Sequence, residues 1–216
     1  MPDAIYWIIG FSALAILVVV ALFVRKRRKG ESRGRDGERR VARVLARAAR
    51  RCGGRVLNGV HLPLYEQSTE FDHILVGPFG VLVVETKNLG GEIFGDGNQQ
   101  EWTQVTKTAK RSFYSPLLQN KTHVDNLRHH FQKERLYKVT IESAVVFADP
   151  GVTLNVPRSL PVYTLKALAK RLTRDAYLAD KGVNVEQVVA TISRNALTGI
   201  GTKTKHRKFV NEQSKH

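Results

Sequence analysis

Hydrophobic positions divide the chain into one long apolar run and a later region with helical and strand periodicity. Ala4 to Val24 is 21 residues long and contains no charged side chain. From Glu38 to Cys52, apolar residues recur every three to four positions and arginines fill the positions between them, which predicts an amphipathic helix. Gly53-Gly54 predicts the end of this helix, because glycine accepts the left-handed conformation that follows many helices.

Two apolar runs around a turn sequence predict a β-hairpin. Glu70 to Val76 and Val81 to Lys87 are rich in β-branched residues, and Gly77 to Gly80 separates them. Further strands are predicted at 92–95, 101–106, 140–148 and 160–163, and further helices at 115–131, 165–178 and 185–197. This succession of strands and helices predicts a mixed α/β domain.

The apolar run Ala4 to Val24 predicts a single transmembrane helix. At about 1.5 Å per residue it reaches roughly 31 Å, which matches the hydrocarbon thickness of a bilayer. A cleaved signal peptide is the main alternative, but it would begin with positive charge, whereas this chain begins Met1-Pro2-Asp3. The basic run Arg25 to Lys29 follows the apolar segment, so we expect a single-pass protein of the cell membrane with its globular domain in the cytoplasm.

The formal net charge of +16 comes mainly from the region that follows the predicted anchor. Residues 25–55 carry 14 lysines and arginines against three acids, whereas residues 56–216 carry 21 against 15. Basic residues beside a membrane are attracted to anionic lipid, so the charge alone is weak support for nucleic-acid binding. The expected organisation is a transmembrane helix at 1–24 with its N-terminus outside, a basic linker at 25–37, a globular domain at 38–200 and a basic flexible tail at 201–216.

Acidic residues and a lysine meet on one face of the predicted hairpin. If the strands pair symmetrically about Gly77 to Gly80, Asp72 lies opposite Glu85. Lys87 shares the face of Glu85, because side chains alternate along a strand. Two acids and an amine are therefore expected on one patch.

That patch predicts a site for a divalent cation. Two carboxylates about 4.5 to 5.5 Å apart repel each other unless they share a positive charge. Mg²⁺ suits Asp72 and Glu85, and the backbone carbonyl of Thr86 would add an oxygen ligand. Lys87 beside the ion would stabilise negative charge on a phosphate, so these groups fit phosphodiester hydrolysis.

Each of these residues also has an ordinary interpretation. Glu85 and Lys87 would form a solvent-facing ion pair at a strand end, and Asp72 would be an acid near a turn. Glu38 lies on the apolar stripe of the first predicted helix. It is either a third acid directed at the cation or a first-turn acid that complements the helix dipole.

Together these residues resemble the nuclease-related domain (NERD) family, which belongs to the PD-(D/E)xK restriction-endonuclease-like superfamily. The resemblance runs from about Gly37 to Phe131. Its parts, in order, are Gly37-Glu38-Arg39-Arg40-Val41, Glu70-Phe71-Asp72-His73-Ile74-Leu75-Val76-Gly77-Pro78-Phe79-Gly80, Val84-Glu85-Thr86-Lys87-Asn88, Gly91-Glu92-Ile93, Trp102 and Ser115-Pro116-Leu117-Leu118-Gln119.

The resemblance implies a mixed central sheet flanked by helices, with the transmembrane helix preceding it. It implies metal ligands at Asp72 and Glu85, an auxiliary acid at Glu38, a catalytic lysine at Lys87 and an active-site glutamine at Gln119. The expected cofactor is Mg²⁺ or Mn²⁺, and the expected substrate is nucleic acid, most simply DNA. The alternative is a catalytically silent scaffold, tethered to the membrane, that uses the domain to bind nucleic acid or protein.

Other residues that could bind a metal or a base have simpler interpretations. His123 and His130 would share a helix face with Gln119, but surface or phosphate-proximal positions are preferred to a metal site. His73 should point away from the face of Asp72. Trp102 is expected in the core rather than stacked on a base. Cys52 is the only cysteine, which excludes an internal disulfide.

Overall fold

The computed structural model describes Arg25, residues 30–65 and residues 67–197. The chain divides into two compact units, Met1–Asp36 and Gly37–His216. The predicted anchor Ala4 to Val24 and the predicted tail at 201–216 lie outside the described residues. Across the described part of the chain, no helix has the length and apolar character needed to cross a membrane.

The described chain contains nine strands and four helices, and six of the strands follow one another between the first two helices. In chain order the strands are β1 (Arg55–Leu64), β2 (Gln67–Gly77), β3 (Gly80–Lys87), β4 (Gly91–Phe94), β5 (Glu101–Val105), β6 (Lys110–Tyr114), β7 (Ile141–Phe147), β8 (Val152–Asn155) and β9 (Val162–Thr164). The helices are α1 (30–52), α2 (Pro116–Lys133), α3 (Leu165–Arg171) and α4 (Val185–Asn195), with a short 3-10 helix at Asp175–Tyr177.

A mixed central sheet has the strand order β1-β2-β3-β7-β9. The pairs β1–β2 and β2–β3 are antiparallel, whereas β3–β7 and β7–β9 are parallel. One hydrophobic cluster joins this sheet to α1 and α3, and a second joins its other face to α2 and α4. The sheet is therefore flanked by helices, as predicted, in an arrangement compatible with a restriction-endonuclease-like fold.

Strand β3 lies in the middle of the sheet and is buried on both faces. Leu82 and Val84 belong to the cluster with α1, whereas Val81 and Val83 belong to the cluster with α2. Double burial explains why this strand is an unbroken apolar run until its last three residues. The predicted pairing of Val76 with Val81 is confirmed.

A second, smaller sheet has the strand order β6-β5-β4-β8. The sequence analysis did not predict β6 or β8: β6 is largely exposed and lacks apolar alternation, and β8 alternates for only four residues. Trp102 of β5 is fully buried, which confirms its predicted place in the core. Its ring stacks on Phe147 of β7, with centroids 6.3 Å apart.

Two predicted segments differ in the structure. Residues 30–37, expected as a linker, are helical. Glycine costs about 1 kcal/mol in a helix, but extension of an existing helix adds one hydrogen bond per residue and tolerates that cost. The helix expected at 165–178 ends at Arg171 and is followed by the 3-10 helix. Thr173 Oγ1 donates to Lys170 O at 2.8 Å, and this side-chain bond caps the end of α3.

Gly37 brings α1 close to the end of β3. A Cβ atom added at Gly37 would lie 2.7 Å from Asn88 Cβ, and Arg40 Nη2 donates to Asn88 Oδ1 at 2.8 Å. Asn88 directly follows β3, so this contact fixes the helix turn that carries Glu38 relative to the strand end. A side chain at position 37 would force α1 and β3 apart.

Gly37→Ala is expected to destabilise the protein by about 1 to 3 kcal/mol, because the added methyl group overpacks the contact with Asn88. Thermal or denaturant unfolding measures the change.

Gly34→Ala is the matched control on the same helix, because no atom lies within 4 Å of its added Cβ. It should stabilise the helix by up to about 1 kcal/mol. Equal effects of the two substitutions would show that Gly37 makes no close contact in solution.

Candidate active site

The end of β3 supplies an acid and a lysine on one face. Glu85 is only 2% exposed, and its Oε1 accepts a hydrogen bond from Lys87 Nζ at 2.7 Å. The two residues are separated by one position, so strand alternation places both side chains on the face of Val81 and Val83. This is the face covered by α2.

Helix α2 holds both members of this ion pair. Gln119 Oε1 accepts from Lys87 Nζ at 2.8 Å, and His123 Nε2 lies 3.2 Å from Glu85 Oε2. Gln119 and His123 are four residues apart, so they lie on one face of the helix. The ring of His123 also packs on Phe71, with centroids 5.1 Å apart.

Asn120 fixes α2 on the sheet. This residue is fully buried, and its Nδ2 lies 3.2 Å from Val83 O, 2.8 Å from Ser143 Oγ and 3.1 Å from Ala144 O. The amide therefore joins α2 to β3 and β7 directly beside Gln119. A helix start at Ser115 sets this register, since Leu118 N donates to Ser115 Oγ at 3.4 Å and Pro116 follows the cap.

Asp72 lies where the β2–β3 ladder ends. The last pair of the ladder is His73 with Val84, so Asp72 and Glu85 are not a ladder pair, unlike the prediction. Instead, Asp72 Oδ2 accepts from Thr86 N at 2.7 Å. Phe71 belongs to the same cluster as Ile74, so strict alternation of faces fails between them.

The Thr86 carbonyl faces the same side of β3 as Asp72. The N–H and C=O groups of one strand residue point to the same neighbour, as in the hydrogen-bonded pairs of an antiparallel ladder. Because Thr86 N–H donates to Asp72, the Thr86 C=O also points to the β2 side. The role of this carbonyl as an oxygen ligand stays a prediction.

A family model described as the nuclease-related domain, NERD, matches residues 33–148, which is more than half of the chain. The chain belongs to the NERD family. It is similar to an uncharacterized protein of Bacillus anthracis, 34% identical over 115 residues. The matched region covers 53% of this chain and 54% of that protein, so it spans about half of the relative's length. No solved structure gives a significant match.

The charges of the NERD site divide into a neutralised pair and an uncompensated acid. Burial would raise the pKa of Glu85, but the Lys87 ammonium and His123 outweigh burial and lower it to about 2. Burial likewise opposes the charged form of Lys87, but Glu85 raises the pKa of the amine above its ordinary value. Lys87 is therefore an ammonium group at neutral pH.

Asp72 carries the uncompensated charge. Burial and the negative charge of Glu85 raise its pKa well above the ordinary value, and Lys87 and Thr86 N–H offset only part of this effect. The charge of Glu38 also raises the pKa of Asp72, so Glu38 lies within electrostatic range of the site. The domain thus brings Glu85 and Glu38 within electrostatic range of Asp72, and Lys87 only partly offsets their effect.

These residues provide some of the donors that Mg²⁺ requires. Carboxylate oxygens of Asp72 and Glu85 and the Thr86 carbonyl are hard oxygen donors, and a cation would relieve the repulsion felt by Asp72. Each Glu85 oxygen has one contact, to Lys87 or His123, and a carboxylate oxygen has room for a second. Among the residues that the structure describes, no three His, Cys, Asp or Glu side chains form a metal-binding group. The donor set therefore depends on the backbone carbonyl and water.

Sequence reasoning missed the role of His123 in the site. A surface or phosphate-proximal position is predicted for His123; the surface position is wrong, because the ring is buried against Glu85. Its spacing of four residues from Gln119 was the available signal.

His130 is also buried and contacts Pro63 O at 3.1 Å, outside the site. His73 pairs with Asn58 Oδ1 at 2.7 Å through Nδ1, and burial lowers its pKa to about 4.

Asp72→Asn is expected to stabilise the protein at neutral pH, since it removes a repelled charge and keeps an oxygen acceptor for Thr86. The folded state raises the pKa of Asp72, so stability from this group is complete below its unfolded pKa and is lost as pH rises through its folded pKa. Melting temperature should rise by a few degrees at pH 7, and the difference should vanish below about pH 4.

Asp125→Asn is the control, because Asp125 is exposed and pairs with Lys121 and Arg128 at 2.6 and 3.3 Å. It should not raise the melting temperature at pH 7. A lower melting temperature for Asp72→Asn at pH 7 would mean that Lys87 more than compensates the Asp72 charge.

Proposed function

We propose that this chain is a membrane-anchored, metal-dependent nuclease that hydrolyses phosphodiester bonds of DNA. Membership of the NERD family gives the nuclease-related function. The observation that carries the finer proposal is the Lys87 ammonium group, held at 2.7 and 2.8 Å by Glu85 and Gln119 beside Asp72. An ammonium group beside two acids at a sheet end fits phosphoryl chemistry.

Lys87 would act on the phosphate rather than as a base. Its raised pKa keeps the amine charged at neutral pH, so it donates hydrogen bonds and has no free lone pair to accept a proton. With 23% of its side chain exposed, Lys87 reaches solvent while Glu85 stays buried. A phosphate oxygen would take one of the three N–H donors and gain stabilisation as negative charge develops.

Asp72 and Glu85 would hold the divalent cation, with the Thr86 carbonyl as a further ligand and Glu38 as an auxiliary acid. When bound, Mg²⁺ or Mn²⁺ would lower the pKa of a coordinated water and offset phosphate charge. Gln119 and His123 would keep Lys87 and Glu85 in place during this chemistry. Asp72 would keep its contact with Thr86 N–H, which restricts the rotation of the carboxylate.

The membrane anchor and the cytoplasmic location rest on sequence alone. Ala4 to Val24 has no charged residue and only Ser12 as a clearly polar one, and Arg25 to Lys29 follows as an uninterrupted basic run. The apolar segment would cross the bilayer and the basic run would contact anionic lipid on the cytoplasmic side. Cleavage would then take place close to the inner membrane surface.

The purified full-length protein should cleave DNA in the presence of Mg²⁺ or Mn²⁺. Lys87→Ala and Asp72→Asn should each lower the rate by at least about 100-fold, as removal of one transition-state contact does in other enzymes. Cleavage is measured on labelled DNA with and without EDTA.

Asp72→Asn is the sharper of the two variants, because we expect it to be more stable than the unmodified protein. Its inactivity could not be assigned to unfolding. The control is Lys133→Ala, an exposed lysine in the last turn of α2. Cleavage that persists in both active-site variants would place the activity elsewhere or in a contaminant.

A second candidate function is a catalytically silent scaffold tethered to the membrane. Both oxygens of Glu85 already have partners in Lys87 and His123, so the ion pair is complete without a cation. A domain with this closed arrangement could serve as a surface that binds nucleic acid or protein.

Calorimetric titration with Mn²⁺ separates the two functions. A nuclease should bind the ion, and Glu85→Ala should weaken binding by at least tenfold because a carboxylate ligand is lost. A scaffold should give the same heats of Mn²⁺ titration for the unmodified protein and for Glu85→Ala.

A further inference from the structure

The turn between β5 and β6 carries a basic cluster that the candidate active site does not use. We name Lys107, Lys110 and Arg111 the basic hairpin. All three side chains are exposed. The segment from Trp102 to Val124, which runs through this hairpin into α2, contains no acidic residue.

The turn that presents the basic hairpin is closed by three hydrogen bonds. Thr106 N donates to Ala109 O at 2.8 Å, Thr106 Oγ1 donates to Ala109 O at 3.1 Å, and Ala109 N donates to Thr106 Oγ1 at 3.1 Å. These bonds fix the turn between Lys107 and Lys110. Little backbone entropy would be lost if a ligand bound there.

The basic hairpin also differs from other basic residues near the site. Lys121 and Arg128 on α2 each contact Asp125 at 2.6 and 3.3 Å. Within residues 30–65 and 67–197, by contrast, no ion pair involves the three residues of the basic hairpin. Their charge is available to an anion.

The small sheet lies on the face of the central sheet that carries the ion pair. Glu85 and Lys87 are in register with Val145 and Phe147 of β7. Registered residues share a face. Phe147 stacks on Trp102 of β5, so the small sheet covers this face directly beside Lys87.

Arg111 lies on the face of the small sheet that is directed toward the central sheet. Trp102 pairs with Phe113, and Arg111 is two residues before Phe113, so alternation places Arg111 on the same inner face. Strand β6 is the edge of this sheet, which leaves Arg111 exposed there. Lys110 lies on the outer face of the small sheet. It pairs with Val105, which pairs with Glu92, so Glu92 is two strands, or about 10 Å, from Lys110.

The base of the turn that carries the basic hairpin lies close to Lys87 in space. Strand β4 begins at Gly91, four residues after Lys87, so their Cα atoms are at most about 14 Å apart. Gly91 packs against Val105 and Thr106 at the base of the turn. DNA rises about 3.4 Å per nucleotide of one strand, so the base of the turn lies within about four nucleotides of Lys87, and the basic hairpin extends beyond it.

We propose that the basic hairpin binds the phosphate backbone of DNA a few nucleotides from the bond held at Lys87. This inference rests on the proposed function for its substrate, but not on catalysis. Arg111 provides a fork of N–H donors toward the site, and Lys107 and Lys110 add point charges at the turn. The contacts position the duplex without reading its sequence.

Salt-dependent DNA binding tests this proposal. The full-length protein, with EDTA present to prevent cleavage, is titrated with a labelled duplex at several salt concentrations. A triple variant with Lys107→Gln, Lys110→Gln and Arg111→Gln should reduce the slope of log affinity against log salt by about 2 to 3 and weaken binding at least tenfold at low salt. Arg111→Gln alone should reduce the slope by about 1.

The charge-matched control is Lys166→Gln, Lys170→Gln and Arg174→Gln. These exposed residues lie on α3 or just after it, and α3 packs on the opposite face of the central sheet. The control removes the same charge and should leave the slope nearly unchanged. Equal slopes for the two triple variants would overturn the proposal, because binding would then depend only on net charge.

A second arm uses vesicles of phosphatidylcholine and phosphatidylserine without DNA. If the basic hairpin variant loses vesicle binding and keeps DNA binding, the hairpin is a lipid contact and the proposal is wrong. Because binding is measured in EDTA, a protein that never cleaves DNA but shows the expected slopes would refute the proposed function and support this inference. Normal DNA cleavage, together with a salt slope that the triple variant leaves unchanged, would support the proposed function and refute this inference.

Discussion

The buried ion pair between Glu85 and Lys87 is the interaction on which the site depends. A carboxylate that is 2% exposed would be costly without a partner, and burial disfavours the charged form of the lysine beside it. Each group therefore keeps the other ionised at neutral pH. The pair also explains why α2 must lie where it does, because Gln119 and His123 complete the contacts of both groups.

Helix α2 connects fold stability with site geometry. Its Asn120 side chain bonds to two strands of the central sheet, and its neighbour Gln119 contacts Lys87. On the other side of the sheet, the close contact between Gly37 and Asn88 fixes the helix that carries Glu38. Helices on both faces thus hold polar groups at one strand end, where the ladder to β2 has already stopped.

The sequence predicted the elements that combine strong periodicity with clear ends. The continuous apolar run predicted β3, and the amphipathic stripe predicted α1. The turn sequence predicted the pairing of Val76 with Val81. Strand β6 was missed because an exposed strand has no periodic signal, and β8 because four alternating residues are too few to identify a strand. The position of Asp72 was only partly predictable, since strict alternation would place it opposite Glu85. The break after Phe71 depends on packing against His123, which is distant in sequence.

The parallel pairing of β3 with β7 has a consequence for how the protein folds. All of β4, β5, β6 and α2 lie between these two strands, so the parallel ladder closes a long crossover connection. Lys87 and Gln119 are 32 residues apart, and Glu85 and His123 are 38 apart. Contacts between residues so far apart in sequence slow folding, and Lys87 and Glu85 gain their α2 partners only when this helix docks on the sheet. A nascent chain released before α2 has docked would carry the acids and the lysine without the geometry to use them.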